Sequence, residues 1–518
     1  MSGKNFPINT MAGIRRDGTP YAGNYYIDGQ HCRFQRGLPQ KMGGRVEMVS
    51  GLQYPSSGIY VNPAVSNGQM ALFNGDQNNL TEYFFDLADG EINNPGAFDR
   101  TPVGFRADPN NMWTFDVIYS SVSRTSYIFA HAAPNAADIN STVETPVYYG
   151  LLSSGGIDNT DKLIPIPTPA NGIGAAVSGG ILALHPFLVT YGNNGLVSFS
   201  ADNDPTRIIN TQSICSQKIV TALQTRAGNA APGALFWSLD TLIRAYFSPL
   251  ANGTPNFKFD TISDQTSIIS QNAAIEYDGL YFWVCVDRFC FFNGTAVEVP
   301  NNININWFFD NINYSQRQKV WVTKYPRKGE IWIHFPFGNS TECNQAVIFN
   351  KRENTWYNTM SLRGAGYFEQ IYPFPIWATN TPNNNGQYSI FTHEKGLDEV
   401  LLNGTINPIQ SYFETSDISF CALGPSGSWT GVNRWVSLNQ IEYDFRQTGP
   451  MTLTVQGREY SRGALTTFPP ITFTPDKARD TPRVQLRHMT LRFESNVIGG
   501  YYEMGQPILN LSIGDARS

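Results

Sequence analysis

Between about residues 51 and 420, short apolar runs alternate with Asn-Gly and Asp-Gly pairs. These include Asn74-Gly75, Asp89-Gly90, Asn194-Gly195, Asn252-Gly253, Asp278-Gly279, Asn293-Gly294 and Asn403-Gly404. Both residues of such a pair tolerate the positive φ that the centre of a type I′ turn demands, so each pair is a hairpin signal. The composition agrees with many short strands joined by tight turns. Only 15% of residues are charged, while 46 Gly, 32 Pro, 33 Phe and 25 Tyr supply turns and bulky strand residues. Helical bundles, coiled coils and disordered chains are disfavoured, because helices draw on Ala, Glu, Lys and Leu. The 518 residues suffice to bury a large core.

The clearest unit starts at Asp278-Gly279. Tyr281 to Val286 reads as a strand, Asp287-Arg288 as a turn, Phe289 to Phe292 as the return, and Thr295 to Val299 follows Asn293-Gly294. The first strands are apolar on both faces, so they belong inside a stack of sheets. The next unit repeats the pattern with Lys319 to Tyr325, Glu330 to Phe335, Gln345 to Asn350 and Thr355 to Tyr357. Four short strands in about 40 residues is the period of a propeller blade. Fainter units lie at Leu182 to Ser200, at Ala234 to Phe247 with Phe257 to Ile262, and around Tyr83 to Phe85 and Tyr127 to Phe129. The expected fold is all-β, a β-propeller of about six blades over 51–420. An N-terminal arm over 1–50, with strands around Asp28-Gly29, and a C-terminal β-domain over 421–518 form a sandwich-like platform. The boundary near 420–434 falls in Gly424 to Ser428. Val436 to Phe445, Met451 to Gly457 and Gln485 to Glu494 alternate as half-buried strands beyond it.

The formal charge of -6 is unevenly spread. Residues 1–50 carry +4, residues 434–518 carry +2, and the middle carries -12. An acidic middle does not neutralise phosphates and should not grip nucleic acid. The six cysteines, Cys32, Cys215, Cys285, Cys290, Cys343 and Cys421, form no CxxC pair and read as free thiols. Neither an apolar leader nor a membrane-length apolar run is present, so the chain is expected to be made in a cytoplasm without a membrane anchor.

No phosphate loop, no G-x-S-x-G elbow and no H-E-x-x-H occurs; His393-Glu394 lacks a second imidazole four residues on. The six histidines, His31, His131, His185, His334, His393 and His488, are far apart in sequence. His334 sits in an apolar strand and reads as a core or interface residue. Propellers can host glycosidases, which need paired carboxylates, but no S-x-D-x-G-x-T-W turn is present; Ser200-Ala-Asp202 and Ser428 to Gly431 are not matches. Trp237, Trp283, Trp307, Trp321, Trp332 and Trp356 mostly lie in strand runs and read as blade packing rather than ligand platforms. No catalytic, cofactor-binding or metal-binding residue is assigned, no cofactor is expected, and the chain is read as a non-enzyme.

Certain stretches carry a resemblance. Ala234 to Arg244, Tyr277 to Trp283, Val286 to Phe289, Phe292 to Gly294, Glu330 to Pro336, Ala346 to Asn350 and Glu353 to Trp356 resemble the propeller of short-tailed phage tail nozzle or hub proteins, the tail tubular protein B family. Leu491 to Asn496, Gly499-Gly500 and Tyr502 to Gly505 fit the same source. The resemblance covers 230–360 and 485–517 and is structural. It implies a homohexameric ring in the virion tail, below the portal and head-to-tail adaptor. Genomic DNA passes through its lumen without sequence-specific binding, and tail fibres, spikes or a needle attach to it. Acidic or neutral walls would keep DNA adhesion low. The polar stretches 153–180 and 374–388 are candidate gate loops. The alternatives are a host-surface glycan-binding propeller of the tail and a glycoside-cleaving propeller.

Overall fold

The computed structural model describes residues 3–19, 24–92, 96–134, 138–153, 155–157, 161–225, 232–251, 255–419, 435–460 and 463–514. Gly424 to Ser428, the Ser428 to Gly431 stretch, Asn252-Gly253 and Cys421 lie outside these residues.

Six contiguous antiparallel units follow one another between Gly58 and Met360, each built on a four-stranded meander. Their first, innermost strands are Gly58–Val61, Met112–Ser120, Gly180–Leu184, Ile219–Thr225, Ala274–Tyr277 and Trp321–Tyr325. A seventh unit starts with Arg363–Tyr367, Ile376–Thr379 and Tyr388–His393. Its fourth strand, Arg45–Leu52, comes from the N-terminal side of the chain and pairs antiparallel with Tyr388–His393, His393 opposite Arg45. The innermost strands neighbour one another in a closed cycle, Arg363–Tyr367 lying beside Gly58–Val61. The protein is therefore an all-β propeller with seven blades rather than about six. The seventh was hidden because its strands come from two distant parts of the chain. For the same reason Arg45–Leu52 straddles the expected 50/51 boundary.

Inner strands are apolar on both faces because each blade is sandwiched between two others. Gly180–Leu184, Phe187–Tyr191 and Gly233–Ser238 are buried throughout. Trp237 and Trp283 are fully buried, with ring centroids 5.6 Å apart, and join blades 4 and 5. Trp321, Trp332 and Trp356 are also buried. Trp307, on the helix Ile305–Asn311, is half-buried against Phe335.

Asp278-Gly279 forms the expected tight turn, with φ of 54° and 72° between paired Tyr277 and Leu280. Asn74-Gly75 does not turn; it ends the strand Gln69–Gly75. Gly75 pairs with Gly58, and Trp113 of blade 2 crowds both, its indole against Gly75 and its backbone against Gly58. A Cβ on Gly75 would stand 2.3 Å from the indole, so glycine is needed there for close approach and not for a turn. Asp28-Gly29 likewise lies within the strand Asp28–Gln30; the chain bends at His31, φ 47°, and the strands on either side of it join different sheets.

The platform uses both ends of the chain. Lys4–Pro7 pairs with Ile508–Ile513, which pairs with Val436–Glu442. Asp28–Gln30 pairs with Ser411–Glu414, itself beside His488–Ser495. The strand Ser411–Glu414 thus belongs to the platform although it precedes residue 421. Met451–Arg458 and His488–Ser495 alternate strictly between buried and half-buried residues. Their apolar face packs Leu453, Leu491 and Phe493 against Phe413, Phe445 and Phe473.

Two predictions follow from this packing. Gly75→Ala should lower stability by about 1–3 kcal/mol through overpacking, read as a shifted urea midpoint, whereas Gly279→Asn, in open space, should change it little. The second concerns His131, fully buried in blade 2. Its Nε2 meets the Val177 carbonyl at 3.0 Å and Thr145 Oγ1 at 2.9 Å, so the neutral ring carries its proton there. Burial pushes its pKa down to about 4. The unfolded chain therefore takes up a proton near pH 6.5 that the folded chain refuses until about pH 4. The associated stability, on the order of 3 kcal/mol, is complete above pH 6.5 and is lost as pH falls toward 4. His131→Gln, which keeps a donor for Val177, should flatten the pH dependence of urea unfolding between pH 7 and 4.5 by about one proton.

Candidate functional site: the axial cavity and the propeller–platform junction

The inner strands enclose an axial cavity of about 510 Å³. Tyr60, Phe115, Tyr367 and Phe368 supply aromatic walls, while Asp116, Gln224, Gln271 and Glu276 supply polar groups. Glu276 is paired with Lys324 at 3.3 Å, and Lys324 Nζ also donates to the Glu276 carbonyl at 2.7 Å. Asp116 accepts from Ala183 N at 2.7 Å and from Val117 N at 2.9 Å, so it ties blade 2 to blade 3. Burial outweighs those two bonds and raises its carboxyl to about 6. This volume is a small fraction of what a duplex running the length of the strands would occupy. Double-stranded DNA, whose major groove alone is about 12 Å wide, does not fit.

The second place where charge is concentrated lies between the platform and blades 6 and 7. Arg33, on the platform strand Cys32–Gln35, is almost completely buried. Its Nε donates to Glu330 Oε1 at 2.8 Å, and its Nη1 and Nη2 donate to Glu394 at 2.5 and 2.8 Å. Glu330, fully buried in blade 6, also accepts from Tyr357 Oη at 2.7 Å and Trp332 Nε1 at 2.9 Å. Burial opposes the charge on Arg33, but the two carboxylates hold its guanidinium protonated well beyond the ordinary range. One arginine thus joins the N-terminal arm, blade 6 and the end of blade 7. The same solution recurs at Arg100, whose Nε donates to buried Glu82 at 2.7 Å and joins blades 1 and 2.

Three of the six histidines converge at this junction. His31 and His393 line a small cavity there, and His334 stacks on Trp321 with ring centroids 4.0 Å apart. Their sequence separation gave no hint of this, because His31 reaches blade 7 only through the N-terminal strand that closes it. Burial lowers the pKa of all three. Among the described residues, no group of three or more His, Cys, Asp or Glu is arranged to hold a metal ion. Cys285 and Cys290 are free thiols with Sγ atoms 3.3 Å apart in blade 5. Of the proposed gate loops, Ile164–Pro165 and Ala176–Val177 are strands paired to Thr145–Ser153, and 380–387 is the loop between two strands of blade 7. No helix among the described residues is long and apolar enough to cross a membrane.

No family model and no curated protein matches the chain. Two solved structures similar to it are Chaetomium thermophilum Raptor and a chain of a mitotic checkpoint complex. Raptor has 6% identity and a TM-score of 0.38, with 69% of this chain covered; the chain spans 29% of Raptor's length. The checkpoint chain has 9% identity and a TM-score of 0.36, with 66% of this chain and 91% of that one covered. The propeller assignment rests on the closed cycle of blades in this chain.

The Arg33 junction yields a direct test. Glu330→Ala leaves Arg33 short of a buried partner and should lower unfolding stability by about 3–5 kcal/mol, measured by urea denaturation. Breaking the exposed pair Lys162–Asp99 should change it by less than about 1 kcal/mol.

Proposed function

We propose that this chain is a structural subunit of a short-tailed phage tail. In this reading it is a nozzle or hub protein that forms a homohexameric ring, conducts genome DNA during ejection and carries fibres, spikes or a needle. The observation that carries the reading is the combination of a seven-bladed propeller with a platform woven from both chain ends. The sequence stretches that resemble the tail tubular protein B family lie in both parts. A propeller gives a wall piece of mutually braced sheets with few free edges. Because the axial cavity is too small for a duplex, the conduit in this proposal is the lumen between subunits. A net charge of -12 over the middle of the chain favours low adhesion of DNA to that lumen.

Closed rings use heterologous interfaces, one face of a subunit meeting a different face of the next. Six copies of a 57.6 kDa chain come to about 346 kDa. Mass photometry of the purified protein, alone and with portal–adaptor particles, should show that mass or its addition to the particles, and negative-stain images should show sixfold rings. A stable monomer that neither assembles nor docks would refute the proposal. The aromatic and carboxylate lining of the axial cavity favours one second reading, a host-surface glycan-binding propeller. In that case the monomer would bind bacterial surface polysaccharide, and Tyr60→Ala or Tyr367→Ala would abolish the binding.

A further inference from the structure

A cavity of about 90 Å³ lies between blade 7 and the platform. Arg363 and Arg45 line it, together with His31, His393, Trp332 and Trp377. These residues come from the N-terminal arm, the closing strand of blade 7, its first three strands and blade 6. The volume is about three times the ~30 Å³ that a water molecule takes up in the liquid.

Arg363 is 5% exposed and forms no ion pair among the described residues; Glu399 is the carboxylate whose charge reaches it. Its Nε donates to His393 Nε2 at 2.9 Å, its Nη1 donates to the Leu362 carbonyl at 2.9 Å, and its Nη2 makes no hydrogen bond among the described residues. Its guanidinium also sits 5.2 Å from the Phe391 ring centroid. Because His393 Nε2 accepts from an arginine, that imidazole is neutral and carries its proton on Nδ1. The ring cannot serve as a counter-ion.

The carboxylates nearby already have donors; one of them, Glu394, also lines the cavity, and its cluster with Arg33 and Glu330 holds one more carboxylate than guanidinium. Both oxygens of Glu394 are taken by Arg33, and Gly43 N shares one of them at 3.2 Å. Glu399 accepts from Arg45 Nε at 2.6 Å and from Asn407 at 3.2 Å. Arg45 has two further Nη groups, which make no hydrogen bond among the described residues. Burial, then the charge of Arg45, press against the protonated form of Arg363, with Glu399 opposing them weakly. The Nη groups that lack a protein acceptor belong to two residues that line the cavity, so donors are left there for a ligand.

The geometry points to a binding site for a small tetrahedral oxyanion of the phosphate or sulfate class, held by the guanidiniums of Arg363 and Arg45. Planar guanidiniums match such oxygens in fork geometry, and Trp332 and Trp377 line the cavity beside them. Met360, which also lines the cavity, is 41% exposed, so the cavity reaches the surface and an ion can enter without unfolding the junction. The occupant bridges the closing strand of blade 7 to its inner strand. It would therefore stabilise the seam that holds the propeller shut. The inference stands whether or not the phage-tail reading holds.

The test uses the full chain in 0–5 mM potassium phosphate or sulfate, against potassium chloride and potassium acetate at matched ionic strength. These concentrations lie below those at which excluded salts stabilise any fold. The expected result is a saturable rise in melting temperature with phosphate or sulfate and a flat response with chloride and acetate. Arg363→Met should weaken phosphate binding roughly ten- to a hundredfold while leaving stability in phosphate-free buffer unchanged or higher. Equal responses to all four salts would overturn the assignment, as would a phosphate response that survives Arg363→Met. If that variant does not fold, equilibrium dialysis of the wild-type protein with labelled phosphate decides. One ion bound per chain supports the site, and none refutes it.

Discussion

Arg45–Leu52 is the strand on which the rest of the molecule depends. It supplies the fourth strand of blade 7, and its Arg45 pairs with Glu399, 354 residues further along the chain. Without this pairing the propeller would be an open arc with the edge of Tyr388–His393 unpaired. Closing so long a loop is less demanding than its length suggests, because the entropic cost grows only with the logarithm of loop length. The sheet also continues past the closing strand, which pairs in parallel with Glu399–Val400 on its other side. The same strand brings the N-terminal arm to the point where the chain leaves the propeller. Lys4–Pro7, Asp28–Gln30 and the hairpin of Cys32–Gln35 with Leu38–Lys41 can then enter sheets completed by strands from 411–513. Closure of the propeller and assembly of the platform are therefore one structural event.

Two arginines at this seam show how the same chemistry has opposite meanings when partners differ. Arg33 faces two carboxylates and is fully satisfied, so it acts as a rivet between platform and blades. Arg363, just across the junction, meets a neutral imidazole and a carbonyl. Burial of an ion pair is near neutral in energy when every group is satisfied and strongly unfavourable when one partner is missing. The first arrangement uses its guanidinium donors on protein carboxylates, whereas the second leaves guanidinium donors without a protein acceptor among the described residues.

Legibility in the sequence followed locality. Blades 5 and 6 were readable strand by strand, because Tyr281 to Phe292 and Glu330 to Asn350 combine two-sided apolar runs with short turns. The alternation in Met451–Arg458 and His488–Ser495 was equally plain, since one face meets a core and the other does not. The seventh blade was not readable. Arg45–Leu52 reads RVEMVSGL, a weak strand pattern, and its partner lies more than 300 residues away. Asn74-Gly75 was misleading for a related reason: the glycine answers to Trp113 of the next blade, a tertiary demand that outranks turn chemistry. The junction was the least legible. His31, Arg45, Arg363 and His393 belong to four separate strands or turns, and none sits in a motif. Only the closing strand puts them together.

This coupling bears on what the molecule can transmit. The platform is joined to blades 6 and 7 by a buried ionic rivet, by Trp332, Tyr357 and Trp377 sharing its apolar core, and by the chain crossing twice. Packed cores of this kind switch between discrete arrangements rather than bend continuously. A load applied to the platform would thus reach the propeller at the seam between blades 6, 7 and 1, where the ring is closed by a strand from outside the repeat. Most other blade seams are made within a continuous run of chain, although Arg16 and Asp17 of the N-terminal arm also reach Ile303 and Trp307 between blades 5 and 6. Buried charge is balanced at this seam, as it is where Arg100 and Glu82 join blades 1 and 2, so a device that must hold under load and later yield would act where those charges meet.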